Sequence, residues 1–164
     1  MDEPGVVAAF WVLTVTAVGS ALMVAVVRNL LHAVLFLVLS FVGVAGLYLT
    51  LSADFVAVVQ VLIYAGAIAV LVLFAIMLTP QAARDNADGV FWAPALVLAG
   101  SVATTIGLIA TRTDWAVSDR GPFPQTAADI GEALLDPFVL PFEVASALLV
   151  VAMIGAILIV QEEE

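Results

Sequence analysis

Five long apolar stretches alternate with polar segments along the chain. They cover residues 6–27, 30–51, 55–78, 90–110 and 141–160. A helix of about 20 apolar residues crosses the roughly 30 Å hydrocarbon core of a bilayer. The longest polar segment is the loop at residues 111–140. The pattern predicts an all-α integral membrane protein, in which five transmembrane helices form a single membrane domain over residues 1–164.

The polar segments predict how the helices are joined. Only a few residues separate the first two stretches, which indicates an antiparallel helical hairpin. Asp54 directly precedes the third stretch and is expected to be the N-cap of its helix. Within the loop at 111–140, Ile130, Leu134 and Leu135 recur at helical spacing. We therefore expect a short amphipathic helix over Thr126–Leu135.

Small residues recur within the second, fourth and fifth stretches. Small side chains let helices approach closely in a membrane, so these positions indicate packing faces. The alternative is that alanine and glycine are simply frequent in membrane helices. The positions concerned are Gly43, Gly46, Ala99, Ala103, Gly107, Ala152, Gly155 and Ala156.

The third stretch carries polar and small residues near its centre. Gln60 and Tyr64 are four residues apart and share one face of a helix, and Gly66 follows between Ala65 and Ala67. Tyrosine is usual at the membrane surface, whereas an unpaired hydroxyl near the bilayer centre is costly. Two interpretations stay open. The segment is either a seam against which another helix packs, or a helix that changes its winding at residues 64–67, as π-bulges at functional sites do.

The composition narrows the possible functions. Hydrophobic residues make up 65% of the chain and charged residues 11%, with a mean hydropathy of +1.24. These values are typical of a protein surrounded by a lipid bilayer. The chain has no cysteine, so it supplies no thiolate to a disulfide, an iron–sulfur cluster or a zinc site. Its net charge of −10 argues against nucleic acid as a partner.

Few ionisable residues fall close to the apolar stretches. Arg28 and His32 flank the junction of the first two, where we expect them at the membrane surface, as candidates for polar contacts with lipid phosphates or a neighbouring chain. Glu143 lies near the start of the fifth stretch. Its carboxylate either stays at the membrane edge near the helix N-terminus, or meets a cation of another chain or a hydrated path. The pattern contains no paired carboxylates, metal-ligand spacing or phosphate loop, so we expect no catalytic, metal-binding or cofactor-binding residues.

The arginines decide the expected orientation. Positively charged short loops usually stay on the cytoplasmic side, and the first loop often dominates. With the N-terminus outside, Arg28 and Arg84 lie inside while Arg112 and Arg120 lie outside, so the count is tied. The first loop carries Arg28, and the acidic N-terminus has no reason to be held inside. We therefore expect the N-terminus outside and the C-terminus in the cytoplasm.

Three motifs stand out along the chain. They are Arg28-Asn29-Leu30-Leu31-His32-Ala33; Asp54-Phe55 followed by Gln60-Val61-Leu62-Ile63-Tyr64-Ala65-Gly66-Ala67-Ile68, Leu73-Phe74 and Ile76-Met77-Leu78; and Pro141-Phe142-Glu143-Val144-Ala145-Ser146. With these motifs the chain resembles a known family, the J subunit of bacterial NADH–quinone oxidoreductase, which is respiratory complex I. The mitochondrial counterpart of this family is NADH dehydrogenase subunit six. Two positions depart from the family pattern, because Leu30 replaces a frequent proline and Gln60 replaces a glutamate of some relatives. A neutral amide at position 60 carries no proton.

The resemblance implies a non-catalytic membrane-arm subunit of a proton-pumping translocase in the bacterial cytoplasmic membrane. It implies contact with the quinone-site (H-type) and K-type subunits, and places FMN, iron–sulfur clusters and quinone in other subunits. It also implies a π-bulge near Tyr64 and Gly66 that couples quinone reduction to proton translocation. The residues alone leave an alternative, a small stand-alone transporter or channel. The lack of a charged residue at the centre of any stretch argues against this alternative.

Overall fold

The computed structural model describes residues 4–79, 92–115 and 126–161. These residues form helices without strands, and every helix except α5 is long and apolar enough to cross a membrane. The predicted all-α architecture, the five spans and the short amphipathic helix are confirmed. Arg84 and Arg120, which entered the expected orientation, lie outside the described residues. The helices are α1 (Pro4–Val26), α2 (Leu30–Thr50), α3 (Asp54–Leu78), α4 (Trp92–Arg112), α5 (Thr126–Leu135) and α6 (Val139–Gln161).

The turn between α1 and α2 is tight because Asn29 caps α2. The side-chain oxygen of Asn29 accepts hydrogen bonds from the backbone N–H groups of Leu31, at 3.0 Å, and His32, at 3.4 Å. These groups belong to the first turn of the helix, where they have no partner within the helix itself. The cap therefore lets a new helix begin directly after the short turn that ends α1.

α1 and α2 pack closely, as the predicted hairpin requires. A Cβ atom added at Gly43 would lie 3.0 Å from both the Cβ and the backbone nitrogen of Ala17. One added at Gly46 would lie 2.6 Å from Cδ2 of Leu13. The hydroxyl of Ser40 donates a hydrogen bond to the carbonyl oxygen of Ala17 at 3.1 Å. The two glycines thus permit the close approach that small residues in this stretch predict.

α2 ends in a Schellman motif that leads directly into α3. The N–H of Ala53 donates to the carbonyl of Tyr48 at 2.9 Å, and that of Ser52 to the carbonyl of Leu49 at 3.1 Å. Ser52 has a φ of 58°, a conformation more common for glycine. The expectation that Asp54 is the N-cap of α3 is wrong. Ala53 holds that position without a side-chain hydrogen bond, and the tight turn already places Asp54 in the first helical turn.

The chain divides into two compact units, Met1–Pro122 and Phe123–Glu164. In the first unit α2 is the central helix, because both α1 and α3 pack against it. Within the part of this unit that the structure describes, no other helix packs against α4. In the second unit α5 packs against α6. Two of the small-residue positions, Gly107 of α4 and Gly155 of α6, are open, since a Cβ added at either would meet nothing within 4 Å.

Candidate functional site in the third helix

The middle of α3 is wound as a π-helix. Asp54–Val59 is α-helical, Gln60–Ile68 is π-helical, and Ala69–Leu78 is α-helical again. At the end of the π segment, the N–H of Ala69 donates to the carbonyl of Tyr64, five residues earlier, as a π-helix requires. The expected π-bulge is confirmed, and at nine residues it is longer than the four positions that the sequence indicated. All five predicted residues, Gln60, Tyr64, Ala65, Gly66 and Ala67, lie within it.

Gln60 is buried in the π segment, whereas the side chain of Tyr64 is 45% exposed and touches α2 with its ring. Gln60 is only 8% exposed, although its side chain is polar. The ring of Tyr64 packs edge-to-face against Phe41 of α2, with 5.6 Å between ring centroids and 67° between ring planes. Ala57 and Ala69, on either side of the π segment, are each 2% exposed. Since α2 is the helix packed against all three parts of α3, these residues mark the face that α3 turns toward α2.

The lack of a side chain at Gly66 leaves space for a backbone carbonyl of its own helix. A Cβ atom at this position would lie 3.3 Å from the carbonyl oxygen of Val61, five residues earlier. That distance is tighter than most Cβ contacts, and the atom it approaches belongs to the backbone of the π segment. A packing seam at Gly66 would mean that an added methyl group crowds a neighbouring helix. Within the described chain the methyl group would instead press on a carbonyl of the π-helical ladder.

An apolar groove of about 450 Å³ opens beside the beginning of the π segment. Val61 and Leu62 line it from α3, whereas Leu13 of α1 and Gly46 of α2 line it from the hairpin. Within the described residues, the π segment is therefore packed against its own chain on one side and borders an apolar groove on another.

Two of the ionisable candidates, Arg28 and His32, lie apart from the π segment, and the third, Glu143, belongs to the other unit. Arg28 and His32 are at the α1–α2 turn, where His32 is exposed, and His32 precedes Phe41 by nine residues, which is about 13 Å along a helix. Glu143 belongs to the other unit and is exposed there. Because α6 begins at Val139, Glu143 lies beyond the first turn, which contains no acidic residue. A polar contact from any of these three residues to another chain stays a prediction.

One feature of the site gave no signal in the sequence. Phe41 is one apolar residue among many, so nothing marked it as the partner of Tyr64. Thr14 of α1 carries a buried hydroxyl that, within the described part of the chain, has no hydrogen-bond partner. The same part contains no group of three or more His, Cys, Asp or Glu side chains placed to hold a metal ion.

Comparison with known proteins gives the family. The model of NADH-ubiquinone/plastoquinone oxidoreductase chain 6 matches residues 20–159. The chain is 40% identical to NAD(P)H-quinone oxidoreductase chain 6 of Leptolyngbya boryana, over 96% of this chain and 80% of the relative. It is 38% identical to NADH-quinone oxidoreductase subunit J of Rhodobacter capsulatus, over 92% and 79%. It is 36% identical to F(420)H(2) dehydrogenase subunit J of Methanosarcina mazei, over 99% and 98%.

These matches extend over most of the chain and include both the π segment and the small residues of the hairpin. The resemblance that the three motifs indicated is therefore confirmed. The chain belongs to the family of NADH-ubiquinone/plastoquinone oxidoreductase chain 6, the membrane subunit that is also called subunit J.

Proposed function

We propose that this chain is a membrane-arm subunit of a proton-pumping NADH:quinone oxidoreductase, and that the π segment of α3 couples quinone reduction to proton translocation. The observation that carries the proposal is the π winding of Gln60–Ile68 in the middle of a membrane span. The chain has no redox centre of its own in this proposal. FMN, iron–sulfur clusters and quinone are bound by other subunits, and this chain contributes a mechanical step.

The mechanical step is a change of winding. Successive residues of an α-helix are about 100° apart around its axis. When a π-helix returns to regular α-winding by one residue, the adjoining part of the helix therefore rotates by about that angle. Such a rotation takes the Tyr64 ring off Phe41 and reorients the carboxamide of Gln60. In the apolar centre of a membrane, water needs polar atoms to form a path. Rotation therefore makes or breaks a hydrated path by moving these two side chains.

The same proposal assigns neighbours and orientation. The quinone-site (H-type) and K-type subunits contact this chain in the bacterial cytoplasmic membrane, with the N-terminus outside. The open small-residue faces of α4 and α6 support contacts with helices of other subunits, because such faces allow close approach. The names of the relatives mention NAD(P)H, NADH and F(420)H(2) as donors. In our proposal the donor is bound by other subunits, so this chain serves the same step whichever donor is used.

The proposal is tested by replacing Gly66→Val in the intact complex. Glycine is less favourable in a regular helix than alanine by about 0.5–1 kcal/mol, and valine, being β-branched, gains only part of that difference. The added Cβ also presses on the Val61 carbonyl. We expect the variant to assemble, to reduce a soluble acceptor at the flavin end normally, and to take up fewer protons per quinone reduced. The measurement is proton uptake by reconstituted vesicles.

Ala75→Val is the matched control. Ala75 is an exposed residue of the regular part of α3, so the substitution adds a similar volume outside the π segment. A normal proton-to-quinone ratio in assembled Gly66→Val would contradict the coupling role of the π segment. Isolation of the native chain as a homo-oligomer that moves solute without other subunits would contradict its role as a subunit.

A further inference from the structure

We propose that Phe41 of α2 is a positioning residue, which holds the π segment in its present winding through the contact of its ring with Tyr64. The expected effect on proton translocation rests on the function proposed above. The expected effect on the winding does not, because it is a consequence of the contact between α2 and α3 alone.

The geometry of the two rings is specific. Their centroids are 5.6 Å apart and their planes meet at 67°, which brings the positive edge of one ring toward the negative face of the other. The described residues contain one other aromatic pair, between the adjacent residues Phe10 and Trp11 of α1. The pair of Phe41 and Tyr64 is therefore the described aromatic contact that joins two helices.

The contact depends on the winding of α3. Tyr64 is the fifth of the nine residues of the π segment. A one-residue change of winding rotates the adjoining residues by about 100°, so the Tyr64 ring cannot keep both its distance and its angle to Phe41. The residues that flank the segment on the same face, Ala57 and Ala69, have only a methyl group each. Methyl groups have no preferred orientation against a neighbour, whereas a ring pair does, so the contact of the 45% exposed Tyr64 side chain with Phe41 favours this winding.

α2 is a firm support at the level of Phe41. The preceding residue, Ser40, donates its hydroxyl to the Ala17 carbonyl of α1 at 3.1 Å. Two residues after Phe41, Gly43 lies so close to Ala17 that an added Cβ would be 3.0 Å from the backbone nitrogen of that residue. These contacts fix the rotation of α2 against α1. Phe41 consequently has a fixed position on α2, and whether its ring meets Tyr64 depends on the winding of α3.

The test compares Phe41→Leu with Phe41→Tyr and Phe10→Leu in the purified intact complex. In Phe41→Leu the leucine fills much of the space but lacks the ring, whereas Phe41→Tyr keeps the ring. Phe10→Leu abolishes the other aromatic pair, which lies within α1. Backbone amide exchange of residues 60–68 is the measurement, because it reports how often their hydrogen bonds open. The strength of an aromatic pair predicts about two- to tenfold faster exchange in Phe41→Leu. We expect native rates in the two other variants.

Proton uptake per quinone reduced is measured on the same preparations. Faster exchange in Phe41→Leu together with a lower ratio supports both the positioning role and the proposed function. Faster exchange with a normal ratio supports the positioning role and contradicts the proposed function. Unchanged exchange overturns the positioning role, whatever the ratio. If Phe41→Leu does not assemble, Phe41→Met replaces it and is judged by the same exchange criterion.

Discussion

Glu143 is the fifth residue of α6, and its side chain is exposed within its unit. A carboxylate about one turn from the N-terminal end of a span lies close to the membrane surface, where the helix dipole favours its charge. We therefore predict that Glu143→Gln leaves most of the quinone reductase activity of the assembled complex intact. Asp129→Asn, which removes an exposed carboxylate of α5 in the same unit, is the control. Near-complete loss of activity in Glu143→Gln with normal assembly would contradict the prediction.

Residues that interrupt an apolar pattern were predictable, and residues that continue it were not. Gln60, Tyr64 and Gly66 differ in polarity or size from their surroundings, and the structure places them in the π segment. Phe41 continues an apolar run, and its role depends on the rotation of α2, which the contact of Ser40 with α1 fixes. Asp54 was misplaced because the preceding turn uses a serine at positive φ, where a glycine would have marked the end of α2.

At the scale of elements, hydropathy predicted the spans, but it did not predict the length of the π segment. Both α- and π-winding bury the same apolar residues in lipid, so the apolar pattern does not distinguish them. The choice depends on backbone hydrogen bonds such as that from Ala69 to Tyr64, and on the space that Gly66 leaves beside the Val61 carbonyl. The hairpin was easier to predict, because only a few residues separate the first two apolar stretches.

The α1–α2 hairpin leads to a prediction about packing. In Gly43→Val the new side chain meets the backbone nitrogen and Cβ of Ala17, neither of which can turn aside. Overpacking of this kind costs about 1–3 kcal/mol. We expect less of the variant in the assembled complex, and a lower Tm for the fraction that assembles. Gly19→Val is the control, because a Cβ at Gly19 meets nothing within 4 Å and the helix-propensity change is the same. Equal behaviour of the two variants would contradict this packing role.

At the scale of the whole molecule, large apolar side chains face outward along most spans. Leu149 and Ile159 of α6, for example, are 72% and 74% exposed. Lipid tails and helices of other subunits are both apolar, so both satisfy such a surface. The sequence predicted how many helices cross the membrane, because crossing needs only length and hydropathy. It did not predict which faces meet lipid and which meet protein, because α6 is apolar all round and shows no periodicity.

The orientation of the molecule gives the last prediction. An outside N-terminus places the end of α3 in the cytoplasm and the end of α4 outside, because each span reverses the side. Thr79 and Thr113 come directly after these helices and are both exposed. Because the chain has no native cysteine, single cysteines report one site each. We expect Thr113→Cys to react with an impermeant maleimide in intact cells, and Thr79→Cys to react only after the membrane is disrupted. The reverse labelling pattern would show that Arg28 lies outside, and that the first loop does not set the orientation.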